Sequence, residues 1–208
     1  MSNRIKVKEF GLDVLYRHDY DEERQGGNIA RYVGKSCEYL EEFLTNVSGS
    51  DEYGTYWDIG CGNAQTLDYF ESSSVRPMEC YGIDKHPQSH DGRIVNGDFY
   101  DLEAVMKGAG VPMPDVVMIN HTLEHSLAPL LLEQLRKCHK IGGTLFVAVP
   151  DADYPWAYDI TSSTTHWSIF NEGFMRTLLQ RYGYECTVEK KCFREGCGEL
   201  FAVGVRRW

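Results

Sequence analysis

The sequence predicts an α/β protein whose sheet is doubly wound and mostly parallel, with helices on both faces. Short apolar segments alternate with helical patterns from about residue 55 onward, which is typical of strand–helix–strand units. A glycine-rich turn, Gly60-Cys-Gly62, follows the first of these segments. Two strand-like segments close the chain with no helical pattern between them. They predict a terminal hairpin with one antiparallel strand.

The composition limits the class of protein. The chain has 208 residues, 42% hydrophobic and 25% charged, which indicates an ordered domain of ordinary size. It has no run of about 18 apolar residues that could span a membrane, and its start lacks the apolar core of a secretory signal. We therefore expect a cytoplasmic protein. A net charge of −10 without a long basic block argues against a nucleic-acid substrate.

Residues 1–50 predict a helical extension, or lid, that packs on a main domain comprising residues 51–208. Apolar residues recur at helical spacing along one face of this extension: they are Ile29, Val33, Cys37, Leu40, Leu44 and Val47. Gly26-Gly27-Asn28 predicts the start of the helix. Residues 48–51 predict the turn that ends it.

The elements of the main domain follow from its apolar runs. Five strands are predicted near residues 56–58, 81–84, 94–95, 116–119 and 145–149. One helix is predicted over residues 127–138, ended by Gly142-Gly143, and another over residues 172–182. The two closing strands are predicted near residues 186–190 and 200–205.

A carboxylate lies at or just beyond the end of each of three successive strands. Asp58 precedes the glycine turn, Asp84 ends the second strand 22 residues beyond Gly62, and Asp98 follows the third. Ligands of doubly wound sheets bind at the carboxyl ends of the strands, so we expect these acids to line one cleft. An acid at the position of Asp84 can accept hydrogen bonds from both hydroxyls of a ribose.

The turn favours a cationic nucleoside over a dinucleotide. A dinucleotide site requires a third glycine, where this chain has Gln65. Asp58 would also repel a pyrophosphate. S-adenosylmethionine has a ribose, an adenine, an ammonium and a sulfonium, and it has no phosphate.

The motifs together resemble those of the class I S-adenosylmethionine-dependent methyltransferases, in the small-molecule (type 11/23-like) branch. The resemblance runs from about Tyr56 to the C-terminus. It covers the turn, the strand ends at Asp84 and Asp98, and three later stretches: residues 115–125, residues 135–150 with their Gly-Gly and Pro, and residues 166–183. It implies a Rossmann-like sheet of seven strands with the last strand antiparallel. The implied cofactor is S-adenosylmethionine, with S-adenosylhomocysteine as product.

Cofactor contacts are expected from the turn and from the ends of the second, third and fourth strands. Asp84 and Asp98 could each instead cap a following helix, and the backbone of Cys61 matters more than its thiol. The resemblance implies contacts from Gly60, Gly62, Asp84, Asp98, Phe99 and Asn120. The complete set of candidate cofactor residues is Asp58, Gly60, Cys61, Gly62, Asp84, Lys85, Asp98, Phe99, Asn120 and His121.

Three histidines are candidates for acid–base catalysis: His166, His125 and His121, in that order. His121 and His125 are four positions apart, so one helical turn could direct both to the same side. Alternatively, Glu124 and His125 are scaffold residues at a helix start. A metal site needs a third ligand, and no spacing nominates one, so no metal is predicted. The aromatic loop over residues 151–167 is expected to form a substrate wall or lid.

These observations predict a methyltransferase that acts on a small-molecule acceptor, at oxygen or nitrogen. Methyl transfer from a sulfonium depends mainly on alignment. An NAD-dependent oxidoreductase and a non-catalytic S-adenosylmethionine-binding protein remain as alternatives. No membrane association is expected, and a homodimer is one candidate assembly.

Overall fold

The described residues form a sheet of seven strands. The computed structural model describes residues 22–47, 54–73, 78–87, 91–154, 166–194 and 197–208. The strands are β1 (Thr55–Ile59), β2 (Glu79–Asp84), β3 (Ile94–Asn96), β4 (Val116–Asn120), β5 (Thr144–Pro150), β6 (Tyr184–Arg194) and β7 (Cys197–Arg206).

The order of the strands is β3-β2-β1-β4-β5-β7-β6. The first five strands pair in parallel, whereas β7 lies between β5 and β6 and is antiparallel to both. The predicted fold class is confirmed, including the seven strands and the antiparallel last strand. The closing strands are longer than predicted because their pairing continues well beyond their apolar segments.

Five α-helices accompany the sheet in the part of the chain that the structure describes. They are α1 (Glu22–Val47), α2 (Gln65–Ser72), α3 (Leu102–Ala109), α4 (Ala128–Cys138) and α5 (Glu172–Arg181). Two 3-10 helices, Phe99–Asp101 and Leu123–His125, follow β3 and β4. The predicted start of α1 at Gly26-Gly27-Asn28 is wrong. The helix runs through these residues, so the two glycines do not break it.

Alternate residues of the central strands enter two separate apolar cores. On one face, Trp57 and Ile59 of β1 pack with residues of α3, α4 and α5. On the other face, Tyr56 packs with Leu40 of α1 and Phe70 of α2. Because strand side chains alternate between faces, a strand buried on both sides is almost continuously apolar, as observed in β4 and β5.

The described part of the apolar face predicted for α1 packs on the sheet. Cys37, Leu40 and Leu44 are fully buried in the second core. Tyr39 lies on the rings of Phe146 and Phe201, with centroids 6.0 and 5.3 Å away. The division of the chain near residue 50 remains a prediction. None of the described helices combines the length and the apolar character needed to cross a membrane.

A buried histidine at the end of α4 makes stability dependent on pH. His139 is fully buried, and its Nδ1 lies 3.0 Å from the hydroxyl of Tyr184. Burial lowers the pKa of His139 to about 4, whereas an unfolded histidine titrates near 6.5. Between these values the unfolded state binds a proton that the folded state does not, so stability falls as pH decreases.

We therefore expect the free energy of unfolding to decrease by about 2 kcal/mol between pH 7.5 and pH 5 because of His139 alone. Urea unfolding of the parent and of His139→Gln at both pH values measures this contribution. The variant should lose less stability than the parent on acidification. An equal loss in the two proteins would contradict the assignment.

Candidate functional site

Two glycines shape the turn between β1 and α2. Gly60 and Gly62 have φ values of 82° and 52°, a region that side chains disfavour. The Gly60 amide donates to the Ile83 carbonyl at 2.7 Å, which ties the turn to the end of β2. A Cβ on Gly60 would overlap the Thr122 side chain, whereas one on Gly62 would meet nothing within 4 Å. Gly60 therefore permits close packing, and Gly62 leaves open space at the carboxyl edge.

Asp84 joins the ends of β1 and β2. Its carboxylate accepts hydrogen bonds from the backbone amides of Gly62, at 2.9 Å, and His86, at 2.7 Å. Each oxygen of a carboxylate can accept two hydrogen bonds, so each retains capacity for a hydroxyl. The predicted proximity of the turn to the second acid is thus observed.

Asp58 is a buried carboxylate within the motif. It is 2% exposed, and its Oδ2 accepts a hydrogen bond from the Thr66 hydroxyl. Burial raises the pKa of Asp58 to about 7, with a smaller contribution from the charge of Asp84. Its other oxygen, Oδ1, has no hydrogen-bond partner among the described residues. A cationic group of a ligand would satisfy this oxygen.

Asp98 begins the 3-10 helix after β3. Its Oδ1 accepts a hydrogen bond from the Tyr100 amide at 3.0 Å, so the capping role considered from the sequence is real. The second oxygen, Oδ2, lies 3.9 Å from Nζ of Lys85. Phe99 packs edge-to-face on Tyr100, with ring centroids 4.9 Å apart. The cap uses one oxygen, and hydrogen bonding of the other to an adenine remains a prediction.

The N-terminal helix reaches the carboxyl end of β4. The hydroxyl of Ser36, which is fully buried, donates to Oδ1 of Asn120 at 2.9 Å. This bond fixes the oxygen and leaves the amide NH2 of Asn120 as the remaining donor group. The predicted cofactor residue Asn120 is therefore positioned by α1.

His121 lies between two buried carboxylates. Its Nδ1 is 3.3 Å from Oε1 of Glu124, and its Nε2 is 3.5 Å from Oε2 of Glu199. Burial acts to lower the pKa of His121, but the two carboxylates outweigh burial and raise it to about 10. A protonated imidazole cannot accept a proton, so this arrangement does not favour His121 as a general base at neutral pH.

His125 and His166 are in direct contact. Their rings pack edge-to-face with centroids 4.5 Å apart. Burial lowers the pKa of His166 to about 4, and the charge of His125 acts in the same direction. His166 is therefore neutral at pH 7, although an effective general base has a pKa nearer to the working pH.

The cysteine between the glycines is a packing residue. Cys61 is buried, and a Cβ on Gly82 would lie only 2.8 Å from its Cβ. Burial raises the pKa of the Cys61 thiol, which keeps it protonated and unreactive. The expectation that the backbone of Cys61 matters more to a cofactor than its thiol remains a prediction.

Sequence reasoning missed several supporting residues. Thr66 and Ser36 donate hydrogen bonds to the predicted site residues Asp58 and Asn120. The side chain of Thr122 lies against Gly60, and Glu199 lies next to His121. Glu199 is opposite Pro150 in the pairing of β7 with β5, which becomes visible only when the strand order is known. Of the predicted aromatic loop, residues 155–165 lie outside the described residues.

Comparison with known families identifies the chain. A family model described as a methyltransferase domain matches residues 27–189, which is most of the chain. The chain belongs to this methyltransferase family. The predicted class I S-adenosylmethionine-dependent methyltransferase is thereby confirmed, and the oxidoreductase alternative is set aside. No curated protein matches the sequence of this methyltransferase.

Solved methyltransferases share the fold at low sequence identity. A 1,6-didemethyltoxoflavin-N1-methyltransferase of Burkholderia thailandensis is 14% identical, with a TM-score of 0.72 over 95% of this chain and 89% of that one. The plantazolicin methyltransferase BpumL is 12% identical, with a TM-score of 0.67 over 91% and 90%. A SAM-dependent methyltransferase of Archaeoglobus fulgidus is 14% identical, with a TM-score of 0.62 over 82% and 94%.

Proposed function

We propose that this methyltransferase transfers the methyl group of S-adenosylmethionine to a small-molecule acceptor, at oxygen or nitrogen. The observation that carries the proposal is the bond between the Gly62 amide and the Asp84 carboxylate. This bond places the glycine turn, which has open space at Gly62, next to the Asp84 carboxylate, which can accept further hydrogen bonds. A ribose fits this combination because its two hydroxyls can donate to one carboxylate.

The surrounding residues suit the remaining parts of this cofactor. Asp58 has a buried oxygen without a partner among the described residues, which suits the ammonium group. Asp98 and Phe99 would contact the adenine, with Lys85 beside them. The NH2 group of Asn120 would donate to the carboxylate end of the methionine. No phosphate is required at a turn where Asp58 would oppose one.

The bound cofactor supplies a methyl group on a positively charged sulfur. Such a methyl group could be transferred to a lone pair of the acceptor, and the acceptor's proton would leave to solvent. The chain's part is alignment and exclusion of water. We propose that His125 and His166 contact the acceptor. His125 follows β4 at the sheet edge that also carries the turn, and the ring of His166 packs against it.

Two further observations favour a small acceptor. The net charge of −10 disfavours a polyanionic substrate. The Burkholderia thailandensis enzyme is named as an N1-methyltransferase of 1,6-didemethyltoxoflavin, and its structure contains that compound and S-adenosylhomocysteine. This neighbour supports the acceptor class by analogy with its fold.

Calorimetric titration with S-adenosylhomocysteine, and separately with NADH, tests the cofactor assignment. We expect binding of S-adenosylhomocysteine in the micromolar range and no binding of NADH. Binding of NADH alone would refute the proposal. If S-adenosylhomocysteine binds, a screen of small phenols, alcohols and amines for methylated product tests the acceptor. Cofactor binding without turnover on any of them would favour the non-catalytic alternative.

A further inference from the structure

Three potential metal ligands meet beyond the end of β4. Glu124, His125 and His166 each offer one ligand atom, and these atoms lie within 4.8 Å of one another. Two imidazoles and a carboxylate are a ligand set that binds first-row divalent transition metals. We propose that this cluster binds one divalent ion of the Mn²⁺-to-Zn²⁺ series, with these side chains as its protein ligands.

The backbone holds the two contributing segments together. The amides of Trp167 and Ser168 donate to the Glu124 carbonyl at 2.8 and 3.1 Å. The hydroxyl of Ser168 donates to the Ser126 carbonyl at 3.0 Å. His166 is thus fixed beside Glu124 and His125, and it provides the third ligand that no sequence spacing nominated.

Glu124 has an unused oxygen in a buried position. The residue is 2% exposed, and its Oε1 lies 3.3 Å from Nδ1 of His121. Its Oε2 has no hydrogen-bond partner in the described part of the chain. A buried carboxylate oxygen without a partner is costly, and coordination to a cation removes that cost.

The consequence for catalysis rests on the proposed function. With three protein ligands, an ion retains open positions, and it lowers the pKa of a hydroxyl bound there. The hydroxyl proton leaves to water. The resulting oxygen lone pair bonds to the methyl carbon, and the sulfur–carbon electron pair goes to sulfur. A bound ion therefore selects an alcohol or phenol acceptor over an amine.

Titration with Mn²⁺ tests the site. Mn²⁺ prefers oxygen and nitrogen ligands to thiolates, so the cysteines of the chain do not compete for it. The full chain, freed of metal by a chelator, is titrated with MnCl₂, and free Mn²⁺ is followed by its electron paramagnetic resonance signal. We expect one ion per chain. His166→Ala and Glu124→Gln should bind at least tenfold more weakly, while His86→Ala, beyond β2, should match the parent.

His166→Ala is the decisive variant, because His166 is only half-buried, whereas Glu124→Gln alters a buried carboxylate that is paired with His121. Thermal unfolding verifies that each variant is folded. Absence of Mn²⁺ binding by the parent would overturn the proposal, and so would unchanged binding by folded His166→Ala. Calorimetry with S-adenosylhomocysteine on the same proteins tests the cofactor site separately. A chain that binds S-adenosylhomocysteine but not Mn²⁺ keeps its proposed function and loses the metal site.

Discussion

Replacing Asp84 by alanine should weaken the binding of S-adenosylhomocysteine about 30- to 1,000-fold. Hydrogen bonds to a charged group contribute roughly 1.5–3 kcal/mol each. A loss of about 2–4 kcal/mol lies between the loss of one such bond and the loss of two, and it corresponds to a roughly 30- to 1,000-fold change in affinity. The carboxylate also holds the Gly62 amide, at 2.9 Å, so the turn loses an anchor in the variant. Titration calorimetry of parent and variant measures the change.

Two further variants separate ribose recognition from loss of the turn. Asp84→Asn keeps a carbonyl oxygen that can accept from Gly62, but it loses the charge, so its affinity should lie between those of the parent and the alanine variant. Asp101→Ala removes an exposed acid that makes no side-chain cap hydrogen bond, and it should bind like the parent. An Asp84→Ala affinity within a few-fold of the parent would show that the ribose lies elsewhere.

The sequence was sufficient to predict the sheet because local patterns encode it. A strand buried on both faces is almost continuously apolar, and the patterns of β4 and β5 show this directly. The turn was equally visible because Gly60 and Gly62 adopt positive φ values that few other residues tolerate. These signals lie within a few residues of the feature that they specify.

Contacts between distant segments were not predictable in the same way. Ser36 meets Asn120, 84 positions along the chain, and Glu199 meets His121. Each pairing depends on strand order and helix placement, and neither produces a local periodicity. The start of α1 differs from the prediction for another reason: glycines only weaken a helix, so Gly26 and Gly27 do not mark its boundary.

Gly60→Ala should destabilise the protein by about 2–5 kcal/mol. A left-handed conformation costs a residue with a Cβ roughly 1–2 kcal/mol, and Gly60 has a φ of 82°. The new methyl group would also overlap Thr122, whose Cβ would lie 2.9 Å away, and overpacking typically adds about 1–3 kcal/mol. This sum is a large fraction of the stability of an ordinary domain, so low expression or a marked loss in urea unfolding is expected.

Gly62→Ala is the matched control, because it shares the positive φ but not the overlap. Gly62 has a φ of 52°, and a Cβ there would meet nothing within 4 Å, so we expect a loss of only about 1–2 kcal/mol. Its open space is where we place the cofactor, and Gly62→Ala should therefore remain folded but bind S-adenosylhomocysteine weakly.

Combining Gly60→Ala with Thr122→Ala should recover part of the lost stability, since it removes two of the three overlapping atoms. Equal destabilisation by the two glycine variants would show that backbone conformation, rather than packing against Thr122, requires glycine at position 60.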